Sequence, residues 1–209
     1  MKVLILGASG RIGSRLVTEM LHRGYEVTAF IHGPNHFRKQ DKLHIIRGDI
    51  HSAADIEKVL KHNDVVLSAL GSWGTQVHDI LSTAMKNVVP LMEKHGKKRI
   101  VSLTGADARD VGDKPSRLQH LSYKILGHAA GAIIQDAEEH IRILRKSNLD
   151  WTVLRSPVMV DNDNHRTFQL TDELVMPWHT ISRQSVVLAM ADMVEGRTYL
   201  KRSPVISRA

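Results

Sequence analysis

The chain contains no cysteine. Disulfide bonds and a cysteine nucleophile are therefore excluded, and the composition suits a reducing cytosol. Nor does any apolar run approach the roughly 20 residues that a membrane-spanning helix needs. Because the first strand pattern begins at Met1 itself, we do not expect a removable signal peptide. These absences predict a cytoplasmic protein that does not enter a membrane.

Aromatic residues are also scarce, at 4% of the chain, although the formal net charge is +7. The basic residues are scattered over different predicted elements, with few aromatic residues between them. Nucleic-acid binding is therefore not expected. A diffuse basic surface would instead attract phosphorylated cofactors and anionic substrates.

A metal-binding pattern is missing as well. The chain has 13 histidines, but no two of them have the His-Glu-x-x-His spacing, and His32 and His36 fall in an expected loop. That spacing would place two imidazoles on one face of a helix. We predict no metal site.

What the chain does contain is a glycine-rich turn near its start, in the segment MKVLILGASGRIG. An apolar run over residues 3–6 leads into Gly7, Gly10 and Gly13, and an amphipathic helix pattern follows. The first two glycines would let the backbone approach a pyrophosphate, and the third would let the helix pack on the strand. This context predicts a dinucleotide-binding turn; a strand-turn-helix that merely contains glycines is the alternative.

Strand and helix patterns alternate along the rest of the chain. Further strands are expected near residues 25–31, 42–46, 64–71, 99–104 and 151–155. Helices are expected from Ser52, over 76–95 and 133–147, and from Ser182, with Pro90 kinking or dividing the second of these. The final PVISR is expected to form an extra edge strand. We predict a single α/β domain over residues 1–209, with a Rossmann-like doubly wound parallel sheet in the order 3-2-1-4-5-6.

Two stretches break this alternation, at residues 105–126 and 156–180. The second contains Pro157, a run of Asp and Asn at 161–164, and Pro177. Ligands of open α/β sheets bind beyond the carboxyl ends of the strands, so we expect these stretches to be substrate-side loops. Ordinary surface loops are the alternative.

Six segments occur along the chain in the order GASGRIG, GDI, SALG, RIVSLTG, LRSP and ISRQSVVLAM. Together they resemble the atypical short-chain dehydrogenase/reductase family over nearly the whole chain. Within that family the resemblance is to NmrA-like NAD(P)H-binding proteins and to biliverdin-IXβ reductase, also called flavin reductase. The spacing Gly-x-x-Gly-x-x-Gly is typical of extended and atypical members.

The resemblance implies a cofactor site built from successive strand ends. The residues implied around the pyrophosphate are Gly7, Ala8, Ser9, Gly10, Arg11 and Ile12. Those implied at the adenine are Asp49 and Ile50, and those beneath the nicotinamide ribose are Ala69, Leu70 and Gly71. Those implied at the nicotinamide and its carboxamide are Thr104, Pro157 and Val158. Each residue has an alternative role in a turn or in the sheet core, but their joint placement favours the cofactor.

The end of the second strand bears on the choice of cofactor. An acidic residue there would accept from a ribose 2'-hydroxyl and repel a 2'-phosphate, but His32 follows the strand and no carboxylate precedes Asp41. This favours NADP(H), with Arg38 or Lys39 as a counter-charge, His32 as a donor and Arg11 as a further phosphate ligand. Many family members carry an arginine where His32 stands, so NAD(H) remains the alternative.

Typical short-chain dehydrogenases use a Tyr-x-x-x-Lys pair, in which the lysine lowers the tyrosine's proton affinity so that it can exchange a proton with the substrate. The residues four positions after the three tyrosines (Tyr25, Tyr123 and Tyr199) are Ala29, Gly127 and Ser203. Ordinary carbonyl reduction by that mechanism is therefore disfavoured. Tyr123, beside Lys124, is a candidate substitute acid. A packed or exposed loop tyrosine is the alternative.

Hydride transfer to a flat, electron-poor ring makes a smaller demand on the protein, because water can supply the protons. The leading hypothesis is an NAD(P)H-dependent reductase of a small-molecule acceptor, either a flavin, a quinone or a biliverdin-like molecule, with Thr104 orienting the nicotinamide. The alternative is a non-catalytic NADP(H) sensor of the NmrA type that acts on a protein partner. The sequence leaves the oligomeric state open.

Overall fold

Apolar and amphipathic segments alternate along the chain, and in the computed structural model they form strands and helices in turn. The structure describes residues 1–72, 77–161, 168–176 and 178–209. The strands within these ranges are β1 (Lys2–Leu6), β2 (Glu26–Ile31), β3 (Leu43–Arg47), β4 (Val65–Ser68), β5 (Arg99–Gly105), β6 (Asp150–Ser156), β7 (Val158–Val160), β8 (Phe168–Thr171), β9 (Thr180–Ser182) and β10 (Val205–Arg208). The helices are α1 (Arg11–His22), α2 (Ala53–Leu60), α3 (Ile80–Lys94), α4 (Arg117–Lys146) and α5 (Arg183–Asp192).

The main sheet has the strand order β3-β2-β1-β4-β5-β6-β10-β8. Its first six strands confirm the predicted order and run parallel to their neighbours. The prediction for PVISR was half right: β10 is a strand, but β8 pairs antiparallel with it and forms the edge. Four residues with only two packed apolar side chains, Phe168 and Leu170, give β8 a weak sequence pattern.

Both faces of the sheet are covered by helices, which explains its apolar central strands. In β1, Val3 and Ile5 pack into one core with α1 and α5, whereas Leu4 and Leu6 pack into a second core with α2, α3 and α4. Successive side chains of a strand point to opposite faces, so a parallel strand covered on both sides is apolar throughout. The fold is therefore the predicted doubly wound α/β domain.

Helix α4 begins at Arg117, not near residue 133, so residues 117–126 are helical and the loop prediction was wrong there. A capping box starts the helix: Ser116 Oγ accepts from Gln119 N, and Gln119 Oε1 accepts from Ser116 N. Gly127 lowers the local helix propensity and Ala130 has non-helical dihedral angles (φ −138°, ψ 27°). These two features interrupt the apolar pattern of the helix, so its first half was not predicted from that pattern.

Helix α3 runs from Ile80 to Lys94 with Pro90 inside it, so the proline does not divide the helix. Pro90 is exposed, as is Lys86, whose carbonyl loses its i+4 donor. Water can solvate that carbonyl on the outer face, which makes the proline tolerable. The predicted start of this helix at Gln76 lies outside the described residues.

The sequence predicted a loop over residues 156–180, but the described part of this stretch also contains three short strands. Short strands β7 and β9 pair in parallel as a separate two-stranded sheet, and β8 joins the main sheet. Asp161 accepts from Arg15 at 2.7 Å and from Arg183 at 2.6 Å, and so fastens this region to α1 and α5. The rest of the Asp/Asn run, residues 162–164, and Pro177 lie outside the described residues.

Candidate cofactor and substrate site

The glycine-rich turn between β1 and α1 leaves no room for side chains. Gly7 has φ +74°, and a Cβ there would lie 2.9 Å from the Ala69 carbonyl oxygen. A Cβ on Gly13 would lie 2.1 Å from the Gly7 oxygen, because the first turn of α1 packs directly on the strand end. Glycine is required at both positions, for backbone conformation at the first and for close packing at the second.

The N-terminus of α1 offers hydrogen-bond donors to a ligand. Gly10 is the N-cap residue and supplies no side-chain cap, and the first turn carries no acidic residue. The first helical bond runs from Ser14 N to Gly10 O at 2.9 Å. The amides of residues 11–13 find no acceptor within the described parts of the chain. Free amides at the positive end of a helix bind anions, so the turn fits a dinucleotide diphosphate.

Two further predicted segments follow β3 and β4. Ala69 continues from β4 and donates to the Leu6 carbonyl at 3.0 Å, which places residues 69–71 beside the glycine turn. After β3, Asp49 Oδ1 accepts from His51 N at 2.9 Å, so Asp49 also stabilises its own turn. The Ile50 carbonyl accepts from Asn87 of α3 at 3.0 Å. Both segments lie at carboxyl ends of the sheet, where the cofactor interpretation requires them.

Beyond β2, the side chains of His32 and Arg38 are exposed. Neither side chain, nor that of the exposed Arg11, forms a hydrogen bond or ion pair within the described part of the chain. Asn35 accepts from Phe37 N at 2.8 Å and shapes the intervening loop. Three donors are therefore available near this end of the sheet, and two of them are permanent cations.

Thr104 lies at the end of β5 and is 6% exposed. Its Oγ1 has no hydrogen-bond partner in the described structure, and the same is true of the hydroxyls of Ser68 in β4 and Ser102 in β5. Buried hydroxyls are normally paired, so an orphaned one beside a cavity is a candidate ligand contact. Thr104 Oγ1 is therefore available to a ligand in the cavity that it lines, and its place beside the nicotinamide stays a prediction.

A cavity of about 380 Å³ opens beyond the carboxyl ends of β4, β5 and β6. Five residues of the predicted site line it: Leu70, Gly71, Thr104, Pro157 and Val158. Asp107 and Met176 also line it and belong to the two predicted substrate-side stretches, although neither residue was predicted individually. Sequence reasoning missed other lining residues, most of them apolar: Leu103, Ile133, Ile134, Ala137 and Arg183. The two predicted substrate-side stretches both contribute to its wall, which is mainly apolar with a few polar groups, as in typical ligand sites.

Tyr123, the candidate substitute acid, does not line this cavity. It lies in the first half of α4, beside a smaller cavity of about 20 Å³. Its hydroxyl donates to Glu138 Oε1 at 2.8 Å, and the Arg109 guanidinium lies 3.9 Å from its ring centroid. Burial, followed by the hydrogen bond to Glu138, raises the pKa of Tyr123. These are the contacts of a packed, partnered tyrosine.

A family model of NAD(P)H-binding proteins matches residues 7–196. The chain belongs to this NAD(P)H-binding family. The match confirms the predicted resemblance to NAD(P)H-binding proteins over most of the chain.

One sequence relative and two solved structures illustrate how far the similarity extends. YwnB from Bacillus subtilis is 28% identical over 171 residues, which cover 80% of this chain and 76% of YwnB. A short-chain dehydrogenase/reductase from Veillonella parvula, solved in complex with NADP, has a TM-score of 0.80 at 19% identity and covers 99% of this chain and 94% of its own. ChuY from Escherichia coli O157:H7, described as an anaerobillin reductase, has a TM-score of 0.77 at 18% identity over 100% and 97% of the two chains. At these identities the solved structures establish the fold alone.

Neither a metal-binding cluster nor a membrane-spanning helix is found among the described residues. No group of three or more His, Asp or Glu side chains there is arranged to hold a metal ion. None of the helices in the same ranges combines the length and apolar character that a membrane span requires.

Proposed function

We propose that this protein is an NADPH-dependent reductase that transfers a hydride to a flat, electron-poor acceptor such as a flavin, a quinone or a biliverdin-like tetrapyrrole. The observation that carries the proposal is the cavity of about 380 Å³ with Gly71 and Thr104 on its wall. It lies at the strand ends where doubly wound domains bind their ligands, and its volume suits a small organic molecule.

The cofactor choice is supported by the charges near the end of β2. Arg11, His32 and Arg38 are available to a 2'-phosphate, and no carboxylate stands between the end of β2 and Asp41 to repel one. The NADP bound to the Veillonella parvula protein agrees with this preference. NADH is the alternative. When bound, the reduced nicotinamide supplies the hydride.

The residues of the chain hold the two reactants in contact. The amides of residues 11–13 hold the diphosphate, and residues 69–71 support the nicotinamide end. Thr104 Oγ1, which lacks a partner among the described residues, is free to bond a polar group of the bound rings. Leu103, Ile134 and Met176 supply apolar wall against which a flat acceptor can lie. Holding two reactants in contact accounts for much of such a reaction's rate.

The acceptor class is supported by what the site lacks and by a structural neighbour. Without a Tyr-x-x-x-Lys pair, acceptors that are reduced by simple ring-to-ring contact are favoured over ordinary ketones. ChuY is described as an anaerobillin reductase, which agrees with a tetrapyrrole.

The proposal is tested by following NADPH absorbance in stopped flow with flavins, quinones and biliverdin. We expect turnover with at least one of these acceptors. Gly10→Asp places a carboxylate at the diphosphate position and should abolish NADPH binding, whereas Gly33→Ala, where an added Cβ meets nothing within 4 Å, should bind NADPH normally. Tight NADPH binding with no turnover of any acceptor would overturn the proposal in favour of an NADP(H) sensor.

A further inference from the structure

Asp107 stands at the wall between two cavities. It follows Thr104 by three residues in the segment after β5. Together with Ala106 and Val175 it lines both the large cavity of about 380 Å³ and the smaller one of about 20 Å³. The smaller cavity is otherwise bounded mostly by polar side chains, namely Arg109, Gln119, Ser122 and Tyr123. Asp107 therefore lies between the large cavity, where the acceptor would bind, and the smaller polar cavity.

The carboxyl group of Asp107 has no partner within the described parts of the chain. It is half-buried and forms neither a hydrogen bond nor an ion pair there. The other charged residue of the large cavity, Arg183 of α5, is paired with Asp161 at 2.6 Å. Most acidic residues at such half-buried positions in the described structure are paired, as Glu57 is with Lys94. An unpaired carboxyl in a mainly apolar wall is chemically available to a ligand.

The charged groups on the polar side are already engaged. Arg109 bonds the Gln119 carbonyl and the ring of His120, both at 3.2 Å, and stacks on Tyr123. Tyr123 donates to Glu138, which also accepts from Arg109 N at 3.1 Å. No cation within the described residues holds Asp107 in its ionised form. Burial raises the pKa of Asp107 above its ordinary value, with no opposing charge.

We propose that Asp107 is the proton donor of the reduction and thus an additional catalytic residue. This inference rests on the function proposed above. In the step, the O–H bond of the Asp107 carboxylic acid breaks, and a lone pair on a nitrogen or oxygen of the acceptor forms the new bond to that proton. The acceptor's two electrons arrive as hydride from the reduced nicotinamide, which becomes oxidised. The Asp107 carboxylate then regains a proton from hydronium in the solvent, which is relayed by water, so that the net reaction consumes one solvent proton.

The smaller cavity provides the route for that second proton. A volume of about 20 Å³ is enough for about one water molecule, and its wall offers several polar partners. Water there would reach Asp107 without crossing the acceptor site. Tyr123 lines only the smaller cavity, whereas Asp107 also lines the large one. The geometry therefore assigns the donor role to Asp107 rather than to the tyrosine.

The kinetic test compares Asp107→Asn and Asp107→Glu with the wild type, using the acceptor that the wild type reduces. Asparagine cannot donate in the same way, so kcat should fall by about 10²-fold, while glutamate restores part of it. Wild-type kcat should decline as the pH rises through the pKa of Asp107, because only the protonated carboxyl donates. This decline should vanish in Asp107→Asn. The dissociation constant for NADPH should stay unchanged, which also shows that the variant folds.

A matched control removes a carboxylate that lines neither cavity: Asp192→Asn should keep wild-type kcat and pH dependence. If the wild type turns over and Asp107→Asn has the same kcat and pH profile, the inference is wrong while the proposed function stands. If the wild type reduces nothing, the proposed function itself fails.

A second readout does not depend on activity. In cofactor-free protein with isotope-labelled aspartate carboxyl carbons, NMR should show one resonance that disappears in Asp107→Asn and titrates above the ordinary aspartate range. Titration of that resonance at or below the ordinary aspartate value would overturn the role of Asp107, because burial would then not favour the protonated carboxyl that has to donate.

Discussion

Arg155 and Asp113 form a buried ion pair in which each carboxylate oxygen accepts from a different guanidinium nitrogen, at 2.6 and 3.0 Å. The two side chains are only 2% and 8% exposed. Arg155 also donates to the carbonyls of Ala108 and Ser203, at 3.2 and 2.7 Å. Because Arg155 lies in β6 and Ala108 lines the large cavity, this arginine ties the loop after β5 to the neighbouring strand end.

Arg155→Ala would leave the Asp113 carboxylate buried without its partner. We expect the free energy of unfolding to fall by about 3–5 kcal/mol, as is typical when one member of a buried pair is removed. Urea denaturation measures this change. The control is Arg142→Ala, which removes an exposed ion pair with Glu139 and should cost less than about 1 kcal/mol. Equal losses in the two variants would contradict the role assigned to the buried pair.

The central strands could be predicted from the residues alone, whereas part of the periphery could not. A strand covered on both faces must be apolar throughout, so β1 and β4 stand out in the sequence. The first half of α4 is interrupted near Gly127 and has no continuous apolar stripe, although the capping box at Ser116 and Gln119 marks its start. Strand β8 acquires its place only through pairing with β10, which no local pattern reports.

The candidate site likewise contains residues that could be predicted from the sequence and residues that could not. The family resemblance implied residues 69–71 and Thr104, and these residues lie at the carboxyl ends of β4 and β5, where doubly wound sheets bind their ligands. Asp107, Met176 and Arg183 reach the cavity from a loop, from the segment after β8 and from α5. Their convergence depends on loop conformations that are set by tertiary contacts, such as the pair of Arg183 with Asp161.

Gly13→Ala should damage both folding and cofactor binding. The new methyl would lie 2.1 Å from the Gly7 oxygen and 2.8 Å from Ala8 Cα, so α1 must move away from the strand. We expect a loss of roughly 1–3 kcal/mol in unfolding free energy from the overpacking. NADPH affinity should fall at least about tenfold because the helix amides are displaced. Thermal denaturation and fluorescence titration measure the two effects, and Gly33→Ala is the control for both. Wild-type NADPH affinity in Gly13→Ala would contradict the close packing of α1 on the turn.

Asp136 of α4 joins three elements near the cavity. Its carboxylate accepts from Leu81 N at 3.0 Å, from Ser82 N at 2.8 Å and from Ser72 Oγ at 3.2 Å, and the residue is 5% exposed. It therefore caps α3 from another helix and holds the segment after β4. The buried amides would lose their acceptor in Asp136→Ala, so we expect a loss of about 2–3 kcal/mol in unfolding free energy.

The matched control is the N-cap residue of the same helix, Asp79, whose side chain makes no capping bond. Asp79→Ala should cost no more than about 0.5 kcal/mol in urea denaturation. Asp136→Asn keeps one acceptor oxygen and should lie between the two alanine variants. If Asp136→Ala were no less stable than Asp79→Ala, α3 would not depend on the cap from α4.

His140, one helical turn after Asp136, should make stability depend on pH. It is fully buried, and its ring nitrogens have no hydrogen-bond partner within the described structure. Burial lowers its pKa from 6.5 to about 4, and Asp136 only partly opposes this. As the pH falls from 6.5 towards 4, the unfolded chain therefore binds a proton that the native state does not, and unfolding becomes easier by up to about 3 kcal/mol.

His140→Phe removes the titrating group while filling much the same space. The difference in unfolding free energy between wild type and variant should therefore change steadily between pH 6.5 and pH 4, to the disadvantage of the wild type at acid pH. Urea denaturation at a series of pH values measures this difference and cancels the titration of the other groups. Replacing the exposed His62 by glutamine should leave the wild-type dependence in place, because that ring is hydrated in both states. A pH-independent difference for His140→Phe would mean that His140 is protonated in the native state as readily as in the unfolded chain, and that its burial is relieved by water.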